Sequence, residues 1–267
     1  MSSVVDPARV AFLLAQHDRY QFCGHIKTPP PHQDPASQQN RSIALQTAAQ
    51  EYFRADAHER AVFWTDASTR CTRNHSNQPE GGAEGCPTAI SVVWRQLLPN
   101  GEDEWADDTR LHDQQLSCTI LRAEMTAILL ALQYGYWAVY SGGKRVVSIY
   151  SDCLRAIDTI RFYRATFTTV ADGLYNWGRD LIEQIIAITN AIRNLGGEVE
   201  LQWIPRGRIL GNRIADYLAR REALGPLPNT LVFREDDTRQ TDAVEISQIL
   251  TMREHVREEL RQLYSTS

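Results

Sequence analysis

Apolar and polar positions follow two different periods between residues 60 and 225, and these periods predict alternating strands and helices. Short alternating or apolar runs that end at turn residues are typical of strands, and longer runs with apolar residues three and four positions apart are typical of helices. Three strands are predicted first, and a helix, a strand, two helices, a strand and a helix follow. The predicted segments are 60–68, 88–98, 103–113, 119–143, 144–153, 154–164, 173–197, 198–205 and 211–225.

This order predicts an α/β domain whose mixed sheet has three antiparallel strands followed by parallel strands, with helices packed on it. The main domain is expected over 60–228. An N-terminal extension over 1–59 contains a Pro-, Gln- and Ser-rich linker at 25–42. An acidic linker and an amphipathic helix are expected over 229–267. Because an isolated helix of that length is marginal in water, it should dock on the main domain or on a protein partner.

Composition narrows the function classes. The net charge is −5 and the pI is about 5.8, so bulk charge does not hold this chain on nucleic acid, and any such binding needs a local basic patch. No apolar run approaches the roughly 18 residues of a membrane span, so no membrane association is expected. The odd, scattered set of five cysteines indicates free thiols and an intracellular location, cytoplasmic or nuclear.

Four acids stand where carboxylates are unusual. Asp66 and Asp152 close predicted strands, whereas Glu124 and Asp216 lie among apolar residues of predicted helices. Taken singly, each acid has an ordinary explanation, as a turn or helix cap or as the partner of an arginine. Four carboxylates brought together repel by roughly 4 kcal/mol per close pair, and cations are needed to offset that. Oxygen ligands favour Mg²⁺ or Mn²⁺, and two such ions would clamp the attacking water and the leaving oxygen of a phosphodiester.

The segments "WTDAS", "RAEMTAILLAL", "YSDCLRAI" and "WIPRGRILGNRIADYLA" resemble, in order, the four motifs of type 1 ribonuclease H. The resemblance covers about residues 60–225. It implies a ribonuclease H-like five-stranded mixed sheet flanked by helices, and an endonuclease that hydrolyses the RNA strand of RNA–DNA hybrids. It also implies two Mg²⁺ ions, replaceable by Mn²⁺, held by catalytic residues Asp66, Glu124, Asp152 and Asp216. Both a fungal-type housekeeping enzyme and a retroelement-derived domain fit this pattern.

One loop departs from the family pattern. The family has a Gly-His pair before the last acid, but this loop reads "PRGRILGN", and no histidine lies between His112 and His255. Arg206 and Arg208 take its place. A guanidinium cannot act as a general base near neutral pH, but it can bind a phosphate. The alternative is that these arginines pair with surface acids such as Glu198 or Glu200.

Further nucleic-acid contacts are predicted beside the strand and helix that carry Asp66 and Asp216. These contacts are Thr69, Arg70 and Asn212, and Asn212 fits equally well as a helix cap. An enzyme is favoured by the complete set of four acids. A non-catalytic nucleic-acid-binding scaffold is favoured by the missing histidine, the acidic pI and the extra C-terminal helix. A third hypothesis is another nuclease or a strand-transfer enzyme on the same fold, since a fold does not determine a function.

Overall fold

The computed structural model describes residues 21–28, 38–49, 57–69, 87–97, 103–112, 119–163, 178–207 and 209–224. Its strands are β1 (His25–Lys27), β2 (Arg60–Thr69), β3 (Thr88–Leu97), β4 (Asp103–Leu111), β5 (Val146–Ser151) and β6 (Glu198–Trp203). Its helices are α1 (Gln38–Ala49), α2 (Ile120–Gly142), α3 (Leu154–Phe162), α4 (Arg179–Asn194) and α5 (Leu210–Leu224). The predicted C-terminal helix, Arg70 and Arg208 lie outside the described residues.

The strands form one mixed sheet in the order β1-β6-β5-β2-β3-β4. Strands β2, β3 and β4 pair antiparallel, whereas β2 pairs parallel with β5, and β5 pairs parallel with β6. This arrangement confirms the mixed sheet that the element order predicted.

The sheet has one strand more than the sequence predicted. Strand β1 lies at the start of the segment interpreted as a linker, and it pairs parallel with the edge of β6. A strand of three residues is too short to show a two-residue period. Its residues were therefore assigned, together with the Pro-rich sequence after them, to a linker. The Lys27 ammonium, 3.0 Å from Glu200 Oε1, ties β1 to β6.

Helices cover both faces of the sheet. Neighbouring strand residues divide between two sides, as alternation along a strand requires: Phe63 and Ile149 pack with α2, α3 and α4, while Trp64 and Tyr150 belong to a cluster on the other side. Helix α5 packs there through a cluster that includes Val93 and Ile214. None of the described helices is both long enough and apolar enough to cross a membrane.

Two local features fix the helices that carry acids. Helix α2 begins after Thr119, whose side chain accepts a hydrogen bond from the Arg122 backbone N–H at 3.2 Å, as an N-cap residue does. Helix α5 crosses β2 so closely that a Cβ on Gly211 would overlap the Trp64 ring. Glu124 and Asp216 therefore sit on helices whose start or approach to the sheet is determined by particular residues.

Candidate metal centre

Strands β2 and β5 place two acids side by side. Their parallel pairing ends at Thr65 and Ser151, so Asp66 and Asp152 are the next residues along the two strands. The sequence predicted that the first strand closes near Asp66. In the structure β2 continues to Thr69 on its β3 side, where Asp66 pairs with Ser91. Asp66 thus lies inside β2 but at the end of its pairing with β5.

Helix α2 brings a third acid to the same point. The Glu124 side chain is buried among apolar neighbours, and the residue is only 5% exposed. One carboxylate oxygen from each of Asp66, Glu124 and Asp152 lies within 4.8 Å of the other two. Among the residues that the structure describes, these three form the one cluster of potential ligand side chains close enough to hold a metal ion.

Four buried oxygens of this cluster, including Oδ2 of Asp152, accept no hydrogen bond from the protein. Both carboxylate oxygens of Asp66 and Oε2 of Glu124 are buried and accept no hydrogen bond from the protein. Burying an ionised carboxylate without a partner carries a large free-energy penalty. Three hard oxygen donors in this arrangement fit a divalent cation such as Mg²⁺ or Mn²⁺, which would provide the missing partner.

Burial of these carboxylates next to one another also raises their pKa values. Burial raises the pKa of Asp66 well above its ordinary value, and the negative charges of Glu124, Asp152 and Asp216 raise it further. The pKa of Glu124 is raised by burial first and by Asp152 second. Burial also raises the pKa of Asp152, against the lowering effect of the Arg206 charge. Each carboxyl therefore holds its proton more strongly here than in water.

Asp216 lies beside this cluster and has different partners. Its side chain is 19% exposed, and its Oδ1 lies 2.9 Å from Nη2 of Arg206 and 2.9 Å from Nη2 of Arg220. The sequence prediction assigned no role to Arg220. Its position four residues after Asp216 on one helix was the signal that could have found this contact.

Arg206 contacts two of the four acids. Besides Asp216, its Nε lies 3.7 Å from Oδ2 of Asp152. It therefore pairs with acids of the centre and not with Glu198 or Glu200, which were expected from the sequence to be surface acids; Glu200 is buried. The loop that carries Arg206 is attached to the end of β5 by a hydrogen bond: the Ile204 N–H donates to the Ser151 carbonyl at 3.1 Å.

The loop after Arg206 is also fixed by a buried amide. Gly207 adopts a φ of 67°, which favours glycine, and its N–H donates to Oδ1 of Asn212 at 3.2 Å. Asn212 lies in the first turn of α5 and is fully buried, and its amide lowers the pKa of Asp152. Thr69, the last residue of β2, is partly exposed. The predicted nucleic-acid contacts of Thr69, Arg206 and Asn212 stay predictions.

Comparisons with known proteins gave matches among solved structures alone: no family model matches the chain, and no curated protein does. LC9-RNase H1, a type 1 RNase H with the type 2 active-site motif, is 17% identical, with 70% of this chain and 84% of that one covered and a TM-score of 0.39. RNase H1 from the archaeon Halobacterium salinarum is 15% identical, with coverages of 61% and 96% and a TM-score of 0.36. LC11-RNase H1, solved in complex with an RNA/DNA hybrid, is 18% identical, with coverages of 59% and 92% and a TM-score of 0.36.

The fold can be identified from the order of the strands and the placement of the helices. Three antiparallel strands continue through β2 into the parallel strands β5 and β6, and helices pack on both faces. This is the arrangement that the four motifs implied. The chain has a ribonuclease H-like fold. In this ribonuclease H-like domain, β2, α2 and α5 carry three of the four acids, and Asp152 directly follows β5.

Proposed function

We propose that this protein is a divalent-metal-dependent endonuclease that hydrolyses the RNA strand of RNA–DNA hybrids. The observation that supports this proposal best is the cluster of Asp66, Glu124 and Asp152, with one oxygen of each within 4.8 Å of the others. A buried set of carboxylates this close together has no stabilising role of its own, because its members repel one another. The choice of substrate comes from the resemblance of the four motifs to type 1 ribonuclease H.

Each acid has a proposed role. Asp66, Glu124 and Asp152 would hold Mg²⁺, or Mn²⁺ in its place, and Asp216 is the fourth proposed ligand. A bound ion of this kind polarises a phosphoryl oxygen and lowers the pKa of a bound water. The residues themselves fix the ligand geometry and keep the carboxylate oxygens away from bulk water, since Asp66 is fully buried and Glu124 nearly so. That two ions bind is a prediction from the motifs.

The substrate would be held by groups around this centre. Thr69, Arg70, Arg206, Arg208 and Asn212 are proposed to follow the nucleic-acid backbone. Because the whole chain carries a charge of −5, binding to a hybrid would depend on these few local groups. A protein partner bound through the predicted C-terminal helix is proposed as a second interaction, on the amphipathic pattern of that segment.

A cleavage assay tests the proposed activity directly. The full chain is incubated with RNA–DNA hybrid, duplex RNA, duplex DNA and single strands, each with Mg²⁺, with Mn²⁺ and with a chelator. Cleavage of the RNA strand in the hybrid alone, dependent on the metal, is expected. Asp152→Asn, which removes a proposed ligand while preserving its shape, serves as the inactive control. Metal-independent cleavage, or equal cleavage by the control, would contradict the assignment.

A non-catalytic scaffold on the same fold is the second candidate. It is favoured by Arg206, whose guanidinium contacts both Asp152 and Asp216 and thereby offsets part of their repulsion without a metal ion. The missing loop histidine favours it too. A scaffold would bind hybrid equally well with and without Mg²⁺ and would cleave none of the substrates. The same assay, combined with a binding measurement, therefore separates the two candidates.

A further inference from the structure

We infer that the Arg206 guanidinium is the resident cation on the Asp216 side of the centre, and that the centre takes a single divalent ion, among Asp66, Glu124 and Asp152. This inference rests on the metal-binding part of the proposed function, and it replaces both the predicted count of two ions and the role of Asp216 as a ligand. It does not depend on which nucleic acid is cleaved.

The two sides of the centre differ in how their oxygens are partnered. Asp66 and Glu124 present buried oxygens that accept no hydrogen bond from the protein. The Oδ1 of Asp216 has two guanidinium groups at 2.9 Å, from Arg206 and Arg220. The protein itself therefore supplies cationic partners to Asp216, whereas Asp66 and Glu124 have buried oxygens to which it supplies none.

Arg206 differs from Arg220 because it contacts both sides. Its Nη2 contacts Asp216, and its Nε lies 3.7 Å from Oδ2 of Asp152, an acid that also belongs to the three-carboxylate cluster. A second ion that used Asp216 as a ligand would have to compete with Arg206 and Arg220 for its Oδ1.

The formal charges agree with one ion. Four ionised carboxylates carry four negative charges, and the two guanidinium groups in contact with them carry two positive charges. One divalent ion balances the remaining two. A second divalent ion would have to enter an already neutral group, next to Arg206 and Arg220, and like charges at such distances repel.

The loop also keeps Arg206 in place while leaving it accessible. Hydrogen bonds from Ile204 to Ser151 and from Gly207 to Asn212 hold the backbone on either side of it. The Arg206 side chain is 64% exposed, so its outer edge faces solvent. A scissile phosphate approaching the single ion would therefore meet this guanidinium as its second cationic contact.

The test counts metal ions. The number of Mn²⁺ ions bound per full-length chain is measured from the electron paramagnetic resonance signal of free Mn²⁺, and separately by calorimetric titration. Wild-type protein should bind one ion. Arg206→Gln, which removes the charge and leaves a shorter, polar side chain, should bind two. In Arg206→Gln/Asp216→Asn the second ion should be lost again.

Arg220→Gln is the matched control, because it removes the other guanidinium from the same Asp216 oxygen but keeps the bridge to Asp152. It should still bind one ion. Two ions on the wild-type protein, one ion on Arg206→Gln, or two on Arg220→Gln would each overturn the inference, as would no binding to the wild type. The ion count does not depend on cleavage. A change from one to two ions in Arg206→Gln supports the inference even if no hybrid is cut. Hybrid cleavage by a wild-type protein with two bound ions would contradict the inference but would leave the proposed nuclease function standing.

Discussion

Burial and charge oppose each other at Asp66, Glu124 and Asp152. Asp66 lies on a strand, Glu124 on a helix, and Asp152 directly after β5, yet their oxygens lie too close together to be ionised without a compensating charge. Arg206 provides part of that charge, from the rim of the centre. A bound cation would supply the rest, so the fold is expected to respond to metal and to pH at these residues.

Replacing one acid should abolish cleavage and leave the fold intact. Asp66→Asn and Asp152→Asn are each expected to reduce hybrid cleavage by more than about 100-fold, since even the groups that merely support metal ligands are worth 10–100-fold. The melting temperature of the metal-free variants should rise or stay level, because one repelling charge is removed. Gel-based cleavage rates and thermal denaturation in chelator measure the two effects. Near wild-type cleavage by Asp152→Asn would refute the metal assignment.

The raised pKa values predict how the metal-free protein depends on pH. Burial and mutual repulsion raise the pKa of Asp66, Glu124 and Asp152, so the folded state keeps protons that the unfolded state releases. Their contribution to stability is therefore fully present below the ordinary carboxyl pKa and is lost as pH rises through the raised values. Melting temperatures in chelator between about pH 4 and pH 8 should show this loss, and Mg²⁺ should reduce it.

Asp66→Asn is the control for that pH profile, because it removes one of the three titrating groups. The difference in melting temperature between wild type and variant should grow with pH in the variant's favour. A constant difference across the pH range would show that Asp66 does not titrate as its surroundings require.

The four acids could be predicted from sequence because charged residues in apolar runs are conspicuous and because they occur in ordered motifs. The contacts of Arg206 could not be predicted in this way. They depend on where a loop of few residues places one long side chain, and the same guanidinium could have reached a phosphate or a surface acid. The left-handed Gly207 and the buried Asn212 fix that placement, and neither has a signature that separates it from an ordinary turn or helix cap.

At the scale of elements, the edge of the sheet depends on a buried ion-pair network. Glu200 on β6 lies 2.6 Å from Nη1 of Arg60, whose side chain is 2% exposed, and 3.0 Å from Lys27 on β1. Burial alone would raise the pKa of Glu200, but the hydrogen bond from Lys27 and the charge of Arg60 lower it below its ordinary value. Strands β1, β2 and β6 are thus linked through one carboxylate.

The two cations of this network should differ greatly in their effect on stability. Arg60→Met leaves the Glu200 carboxylate buried without its closest cation. It is therefore expected to reduce the free energy of unfolding by about 3–5 kcal/mol. Lys27→Met removes a partner that is 44% exposed and should reduce it by about 1 kcal/mol or less. Urea denaturation of both variants measures the difference. Equal losses would mean that Arg60 is not the principal partner of Glu200.

Most elements could be predicted because each long enough run shows one clear period. The helices that carry Glu124 and Asp216 and the strands β3, β5 and β6 lie within a few residues of their predicted bounds. Strand β1 could not be predicted, since three residues show no period and its pairing with β6 is set by tertiary contacts. The end of β2 was predicted to within one residue, but Asp66 was expected at the end of the strand and lies inside it, because one strand can end its pairing on one side and continue on the other.

At the scale of the whole molecule, the chain combines this domain with segments of different composition. The acidic segment and the predicted C-terminal helix are expected to matter through docking and not through chemistry. A chain that ends at Gly225 should therefore become less soluble and melt at a lower temperature, or lose a protein partner. Sedimentation, thermal denaturation and solubility of the shortened and full chains test this. Identical behaviour in all three measurements would count against docking.

The pairing of β1 with β6 also bears on the order in which the domain is completed during translation. Ile26 is synthesised well before its partner Leu201, which belongs to the last strand of the sheet. Chain synthesis runs at about 5–20 residues per second, so the N-terminal segment waits many seconds before its edge exists. Strand β1 can therefore take its place only after β6 has been synthesised, so this edge of the sheet is completed late in domain assembly.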